Sequence, residues 1–232
     1  MYRFRVCYAK EDDMRYISHL DLQRTISRAV RRAAIPVAYT QGFNPQQRLV
    51  FAAPLAVGIE GRKEYLDLYL TDRWEKERLM KALGAELPQG LEIKTITTVE
   101  LLDPPLPALV EAALYSAVFP VFPENSGLIL QKIMEAKEVK AVRSGKKERK
   151  EVDIRPFIYA LEMDHASGSP DRPCLFMLLA TGSKGGARPE DILAFFPTEK
   201  GSVRLFRESV FIRKGETLLT PDGAPYKKAI KN

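Results

Sequence analysis

The sequence predicts an α+β protein built from two ferredoxin-like lobes, each a βαββαβ unit with an antiparallel sheet. Three observations predict it. In the first half, segments of period-two hydrophobicity alternate with segments of helical period. The proline-rich stretch DPPLPAL, residues 103–109, then interrupts both patterns, as a connection between lobes would. The second half repeats the alternation loosely. The lobes are accordingly drawn as residues 1–103 and 110–232.

Residues 2–9 open the first lobe as a strand, with Tyr2, Phe4, Val6 and Tyr8 on one face and Arg3, Arg5 and Cys7 on the other. A helix is predicted from Ser18 to about Ala34, stopped by Ile35-Pro36 because the residue before proline avoids helical angles. Residues 36–40 and 48–54 read as extended. EYLDLYL, 64–70, alternates cleanly between Leu66, Leu68 and Leu70 and the set Tyr65, Asp67 and Tyr69. A second helix over 73–83 has Trp74, Leu79, Met80 and Leu83 as apolar positions and Gly84 as its stop. LEIKTITTV, 91–99, closes the lobe.

In the second lobe, 112–121 suits a strand, although its alanines also permit a helical start. NSGLILQKIMEAK, 125–137, puts Leu130, Ile133 and Met134 on one helical side. Extended segments follow at 138–143, 150–154 and 157–163. CLFMLLA, 174–180, is a continuous apolar run of the length of a buried strand. RPEDILAFF, 188–196, begins a helix with Pro189 at its first position and two acids in its first turn. VRLFRESVFIR, 203–213, is the last strand.

A composition of 45% hydrophobic and 28% charged residues can bury a core, and no apolar run approaches the roughly 20 residues of a membrane span. The N-terminal residues hold no apolar stretch of the secretory kind. Cys7 and Cys174, far apart in sequence, suit buried thiols in a reducing cytoplasm better than a disulfide framework. The net charge of +6 is uneven, at +1 over residues 1–111 and +5 over the remainder. Clustering matters more than this excess.

The first helix clusters most. Ser18 is a good N-cap, and Asp21 three positions on can reach back to it. At about 100° per residue, Leu22, Ile26, Ala29, Val30 and Ala33 share one arc, and Arg24, Arg28, Arg31 and Arg32 gather opposite. Such a stripe is either a solvated face or a surface for polyanion, since guanidinium binds phosphate in bidentate fashion. Arg3, Arg5, RSGKKERK at 143–150 and YKKAIKN at the tail add basic material, which makes RNA or a nucleotide a compatible partner. His19 falls on the apolar side of the wheel. It reads either as a ring packed at a helix start or as a general base, and Asp21 lies roughly across the helix from it. His165 is the other histidine, and no metal-ligand spacing links the two, so no metal is assigned.

QGFNPQ, 41–46, marks a turn in which Gln41, Asn44 and Gln46 offer amides beside Phe43. Phe43 either stacks on a base or plugs the core. GSKGGARPE, 182–190, places glycines, Lys184 and Arg188 before a helix start, as a phosphate cradle would. It lacks the P-loop ending, and Glu190 and Asp191 oppose an anion, which favours a basic surface loop.

RYISHLDLQRTISRAVRRAAIPVAYTQGFNPQQRLVFAAPLAVGIEG, with EYLDLYL after it, resembles the radical-SAM-linked protein family, a bacterial domain of unknown function. The shared signature is Ser18-His19-Leu20-Asp21, a basic helix, and Gly42-Phe43-Asn44-Pro45. The likeness is specific over 15–70 and continues at VDIRPFI and ARPEDIL. Where family members carry His-Pro or Arg-Pro after that loop, this chain has Gln46-Gln47. The resemblance implies association with a radical-SAM enzyme. The iron–sulfur cluster and S-adenosylmethionine would belong to that partner, because two distant cysteines cannot hold such a cluster.

Three functions follow as expectations. The first is a non-catalytic adaptor that presents tRNA or ribosomal RNA to a radical-SAM modifying enzyme. The second is a metal-independent RNA-processing enzyme using His19, an analogy with endonucleases of the same fold plan. The third is a protein–protein interaction module whose basic face docks the radical-SAM partner.

Overall fold

Ser18 starts the first helix as its residue type demands. Its hydroxyl oxygen accepts from the Asp21 N–H at 3.2 Å, and its O–H donates to Asp21 Oδ2 at 2.6 Å. The computed structural model describes residues 1–144, 149–164, 173–182, 185–199 and 201–226. Within them the chain is mixed α+β, mostly strands paired antiparallel, with few helices. It divides into two units, Met1–Val110 with Ser209–Tyr226, and Glu111–Glu208. The return of Ser209–Tyr226 to the first unit differs from the linear division at 103–110 expected from sequence. Arg5 donates to the Pro221 carbonyl at 2.7 Å and the Tyr65 hydroxyl to Asp222 at 3.1 Å, contacts that hold this segment there.

In the first unit the elements run β1 (Tyr2–Lys10), α1 (His19–Arg32), β2 (Leu49–Phe51), β3 (Glu60–Leu70), α2 (Lys76–Gly84), β4 (Leu91–Val99) and α3 (Leu106–Leu109). β1 lies between β4 and β3, and β2 pairs with β3. The register sets Phe4 against Leu68, Val6 against Leu66, and Val6 against Ile96 on the other side. Strand side chains alternate, so these residues share one face, and Leu22, Ile26 and Val30 of α1 with Leu79 and Leu83 of α2 bury it. α1 ends at Ala33, followed by Ala34 at φ 51° and then Ile35-Pro36.

The opposite face is buried as well, and it is polar. Arg5 stands directly across from Asp67, and Arg3 across from Tyr69. Arg3 Nε and Nη2 donate to Asp67 Oδ2 at 3.0 and 2.7 Å, and Arg5 Nε donates to Oδ1 at 2.8 Å. The carbonyls of Asp103 and Pro104 accept the rest of Arg3's donors at 2.7 and 2.9 Å. Cys7, Tyr65, Thr95, Thr220 and Asp222 continue this layer. Burial pushes the Cys7 thiol up to about 11, with Tyr65 pulling it down, and burial also raises Tyr65.

The second unit contains β5 (Val110–Val118, from Glu111 onward), α4 (Ser126–Glu135), β6 (Lys140–Ser144), β7 (Arg149–Asp153), β8 (Ile158–Asp164), β9 (Cys174–Ala180) and α5 (Pro189–Leu193). Then come β10 (Arg204–Lys214), shared in sequence by both units, and β11 (Thr217–Leu219) in the first. β9 is paired with β5 and with β8, and its residues are buried on both faces, which is why CLFMLLA is apolar throughout. β6 and β7 form a hairpin of their own. The predicted helix 188–196 shortens to five residues. Cys7 and Cys174 are both buried and carry no disulfide. No helix among the described residues is long and apolar enough to cross a membrane.

Candidate nucleic-acid interface

The arginines of the first unit separate into two sets. Arg3 and Arg5, 2% and 5% exposed, face inward and share the fully buried Asp67 carboxylate. The expectation of a polyanion partner places that face toward solvent. The closing segments around 100–104 and 220–222 cover it instead.

Arg24, Arg28, Arg31 and Arg32 are exposed along α1. Arg32 is engaged: its Nε donates to Glu86 Oε2 at 2.7 Å and its Nη2 to the Glu86 carbonyl. Arg24 reaches Asp21 Oδ1 at 3.3 Å, an exposed pair whose geometry leaves most of its donors to water. Arg28 and Arg31 make no ion pair or side-chain hydrogen bond among the described residues. Arg31 and Arg32 also occupy the last turn, where the helix dipole favours cations.

Gln47 ties the amide loop to this helix. The Ser27 hydroxyl donates to Gln47 Oε1 at 2.7 Å. Arg24 and Arg31 lie about 60° and 40° round the helix from Ser27, on its exposed side. Tyr39 bridges to Gln47, and the Thr40 N–H donates to the Gln46 carbonyl at 2.8 Å. Gln46 N–H returns a bond to Thr40 Oγ1 at 3.0 Å. The loop base is thereby locked, and its tip, Gln41 to Pro45, stands in solvent. Gly42 adopts φ 126°, which side chains rarely tolerate, and nothing crowds its α-carbon, so the backbone angle is what calls for glycine there. Phe43 is fully exposed and plugs no core. Gln41 and Asn44 are exposed beside it.

His19 sits at the first position of α1, half-buried. Gln23 Nε2 lies within hydrogen-bonding distance of His19 Nε2, at 3.1 Å. Its ring stands edge-on to Phe51, centroids 5.3 Å apart. The amide and the aromatic ring both orient the imidazole. Asp21 is held below the usual carboxylate range, first by the Ser18 hydroxyl and then by Arg24.

Of the glycine-rich stretch in the second unit, Lys184 lies outside the described residues, as do His165 and the centres of the two basic runs. Arg188 is exposed. Its backbone N–H, where an anion would bind, already donates to Asp191 Oδ2 at 2.9 Å, and Arg143 donates to the same oxygen at 2.6 Å. A side chain at Gly186 would meet the Ala180 carbonyl at 2.5 Å, and one at Gly185 would meet the Phe157 ring. Those glycines serve close packing.

Sequence reasoning missed Tyr39, half-exposed at the loop base, and Arg48, whose guanidinium stacks 3.9 Å from the Tyr69 ring. The sequence places Tyr39 only within the extended segment 36–40. Its alternation with the buried Ala38 was the signal that its ring faces out.

Residues 3–189 match the model of a family described as an uncharacterized protein conserved in bacteria (DUF2344). No curated protein matches the chain.

Proposed function

The chain belongs to this uncharacterized bacterial family, and we propose that it is a non-catalytic RNA-binding adaptor that presents tRNA or ribosomal RNA to a radical-SAM modifying enzyme. One observation carries the RNA part of the reading: the exposed arc of Arg24, Arg28 and Arg31, in which only Arg24 has an ion-pair partner among the described residues, beside the amide loop locked at its base. Like charges held this close repel one another by a few tenths of a kcal/mol per pair, and a phosphate backbone reverses that sign. The radical-SAM part rests on the resemblance carried by Ser18-His19-Leu20-Asp21 and Gly42-Phe43-Asn44-Pro45. In that pairing the partner supplies the cluster and S-adenosylmethionine, and this chain supplies the grip on substrate, in the cytoplasm. The ferredoxin-like description of the lobes belongs to the same proposal. The orders β4-β1-β3-β2 and β10-β5-β9-β8 are those a split βαβ plan would take, and they support it.

Titrating the full chain against labelled RNA at several salt concentrations tests the RNA reading. The logarithm of affinity should fall linearly with the logarithm of salt. Arg28→Ala and Arg31→Ala should each lower the slope by about 0.7 to 0.9. Affinity indifferent to salt refutes the reading.

A second reading, a protein-docking module, has its own support. Tyr16, Leu20 and Val57 are more than half exposed near the start of α1, and the Gly58 N–H donates to the Arg15 carbonyl at 2.8 Å, which brings the two segments together. Capture of the radical-SAM partner that survives nuclease treatment, with no RNA in the purified pair, favours it.

A further inference from the structure

We infer that the ligand of this face is unpaired RNA, with one base stacked on Phe43 and its flanking phosphates on Arg24, Arg28 and Arg31. The inference rests on the RNA-binding reading and narrows it to a substrate class.

Phe43 is the starting point. A phenylalanine wholly in solvent forgoes the burial of a large apolar ring. This one stands at the tip of a loop whose base is fixed by the Tyr39–Gln47 bridge, the two Thr40–Gln46 bonds and the Ser27–Gln47 bond. The tip is restrained too, by Gly42 in its glycine conformation and by Pro45, which disfavours helical angles at Asn44. A ring presented on such a mount loses little freedom when something covers it, because only its own two torsions remain to be fixed.

The covering group must offer a flat apolar face. A paired base does not, since both its faces are taken by its neighbours in the stack. The grooves of an A-form duplex offer a phenyl ring nothing either: the major groove is too narrow to enter, and the minor groove presents hydroxyls and base edges. Loops, bulges and ends expose base faces, and stacking there tolerates any base. Gln41 and Asn44 point to the same class. Amides carry both a donor and an acceptor, which suits a Watson–Crick edge, and that edge is open only when the base is unpaired. Arg24, Arg28 and Arg31 span about 10 Å along the helix axis at 1.5 Å per residue. That reach suits neighbouring phosphates of a strand that can bend toward the loop.

The test compares an RNA stem-loop with a fully paired duplex of matched length, bound to the full chain and to its variants. Phe43→Ala should weaken stem-loop binding by about 5- to 150-fold, the range of one lost base stack. It should leave the salt slope and duplex binding unchanged, and Phe43→Trp should restore the affinity. Because the ring touches no core, folding is not at stake. If Phe43→Ala binds the stem-loop as tightly as the parent while Arg28→Ala and Arg31→Ala bind more weakly, stacking is overturned and the RNA-binding reading survives. Equal losses on both RNAs also overturn it. If neither Phe43→Ala nor the arginine variants change binding, both readings fall.

Discussion

Replacing Asp67 with asparagine keeps the volume of the side chain and removes the charge between two guanidiniums. Asp67 is fully buried, and Arg3 and Arg5 are nearly so. Their four hydrogen bonds to its carboxylate span 2.7 to 3.0 Å. Breaking one member out of a buried ion pair costs about 3 to 5 kcal/mol, because the remaining charge is left in a medium that cannot solvate it. Here two cations are stranded. Each keeps backbone acceptors, Arg3 the carbonyls of Glu100, Asp103 and Pro104 and Arg5 that of Pro221, which argues for the lower end of the range. A loss of about 3 kcal/mol is a large share of an ordinary stability of about 5 to 15 kcal/mol. In urea it should move the unfolding midpoint down by about 1 to 3 M at unchanged slope. RNA affinity of the variant, measured where it is still folded, should match the parent, since Arg3 and Arg5 face the interior. A loss below about 1 kcal/mol, the worth of a surface pair, would refute the burial argument.

Further outcomes follow from the buried Cys7 thiol and from the Ser18 cap of α1. The Cys7 thiol should resist thiol reagents at pH 8 in the folded chain and react once it is unfolded, because burial raises it from 9.0 to about 11. The folded state then holds a proton that the unfolded state has released between those values, so stability should fall as pH rises from 9.0 toward 11, and a flat alkaline limb would contradict this. Ser18→Ala should cost about 1 kcal/mol of stability through the lost cap. It should also let Asp21 titrate nearer its ordinary range in an NMR titration, since the Ser18 hydroxyl is the main group holding it down. An unmoved Asp21 would show that Arg24 does that work.

Local patterns made much of the first unit legible. Ser18 before an amphipathic run gave the start of α1, and Ile35-Pro36 gave its end. EYLDLYL gave the C-terminal part of β3, because Leu66, Leu68 and Leu70 needed one buried face. What was not legible depended on distant residues. The start of α2 lies at Lys76, with Glu75 before it in extended backbone and making no side-chain cap bond. The 48–54 segment shortened to Leu49–Phe51, the stretch that pairs with Leu66–Leu68 of β3. β11 and α3 had no periodicity long enough to announce them. In the candidate site, the exposed arginines of α1 were readable from the helical wheel. The fate of Phe43 was not, because a turn composition is the same whether its aromatic residue points in or out.

The arginines show why net charge was a poor guide to this surface. Residues 1–111 are almost neutral, at +1, which by itself suggests no anion partner. Yet acids and bases in this unit are not paired at random. Asp67 neutralises two strand arginines inside the fold, Glu60 takes Arg15 at 2.8 Å, and Glu86 takes Arg32 at 2.7 Å. These acids are paired with arginines other than Arg24, Arg28 and Arg31, and among the described residues the ion pair within that arc is Arg24 with Asp21. Screening at physiological salt confines each charge to a neighbourhood of about 8 Å. The arc from Arg24 to Arg31 therefore presents a local positive field however closely the whole segment balances. A partner that recognises charge meets that arc and not the average, so the salt dependence of binding should follow Arg28 and Arg31 and ignore Arg3, Arg5 and Arg32.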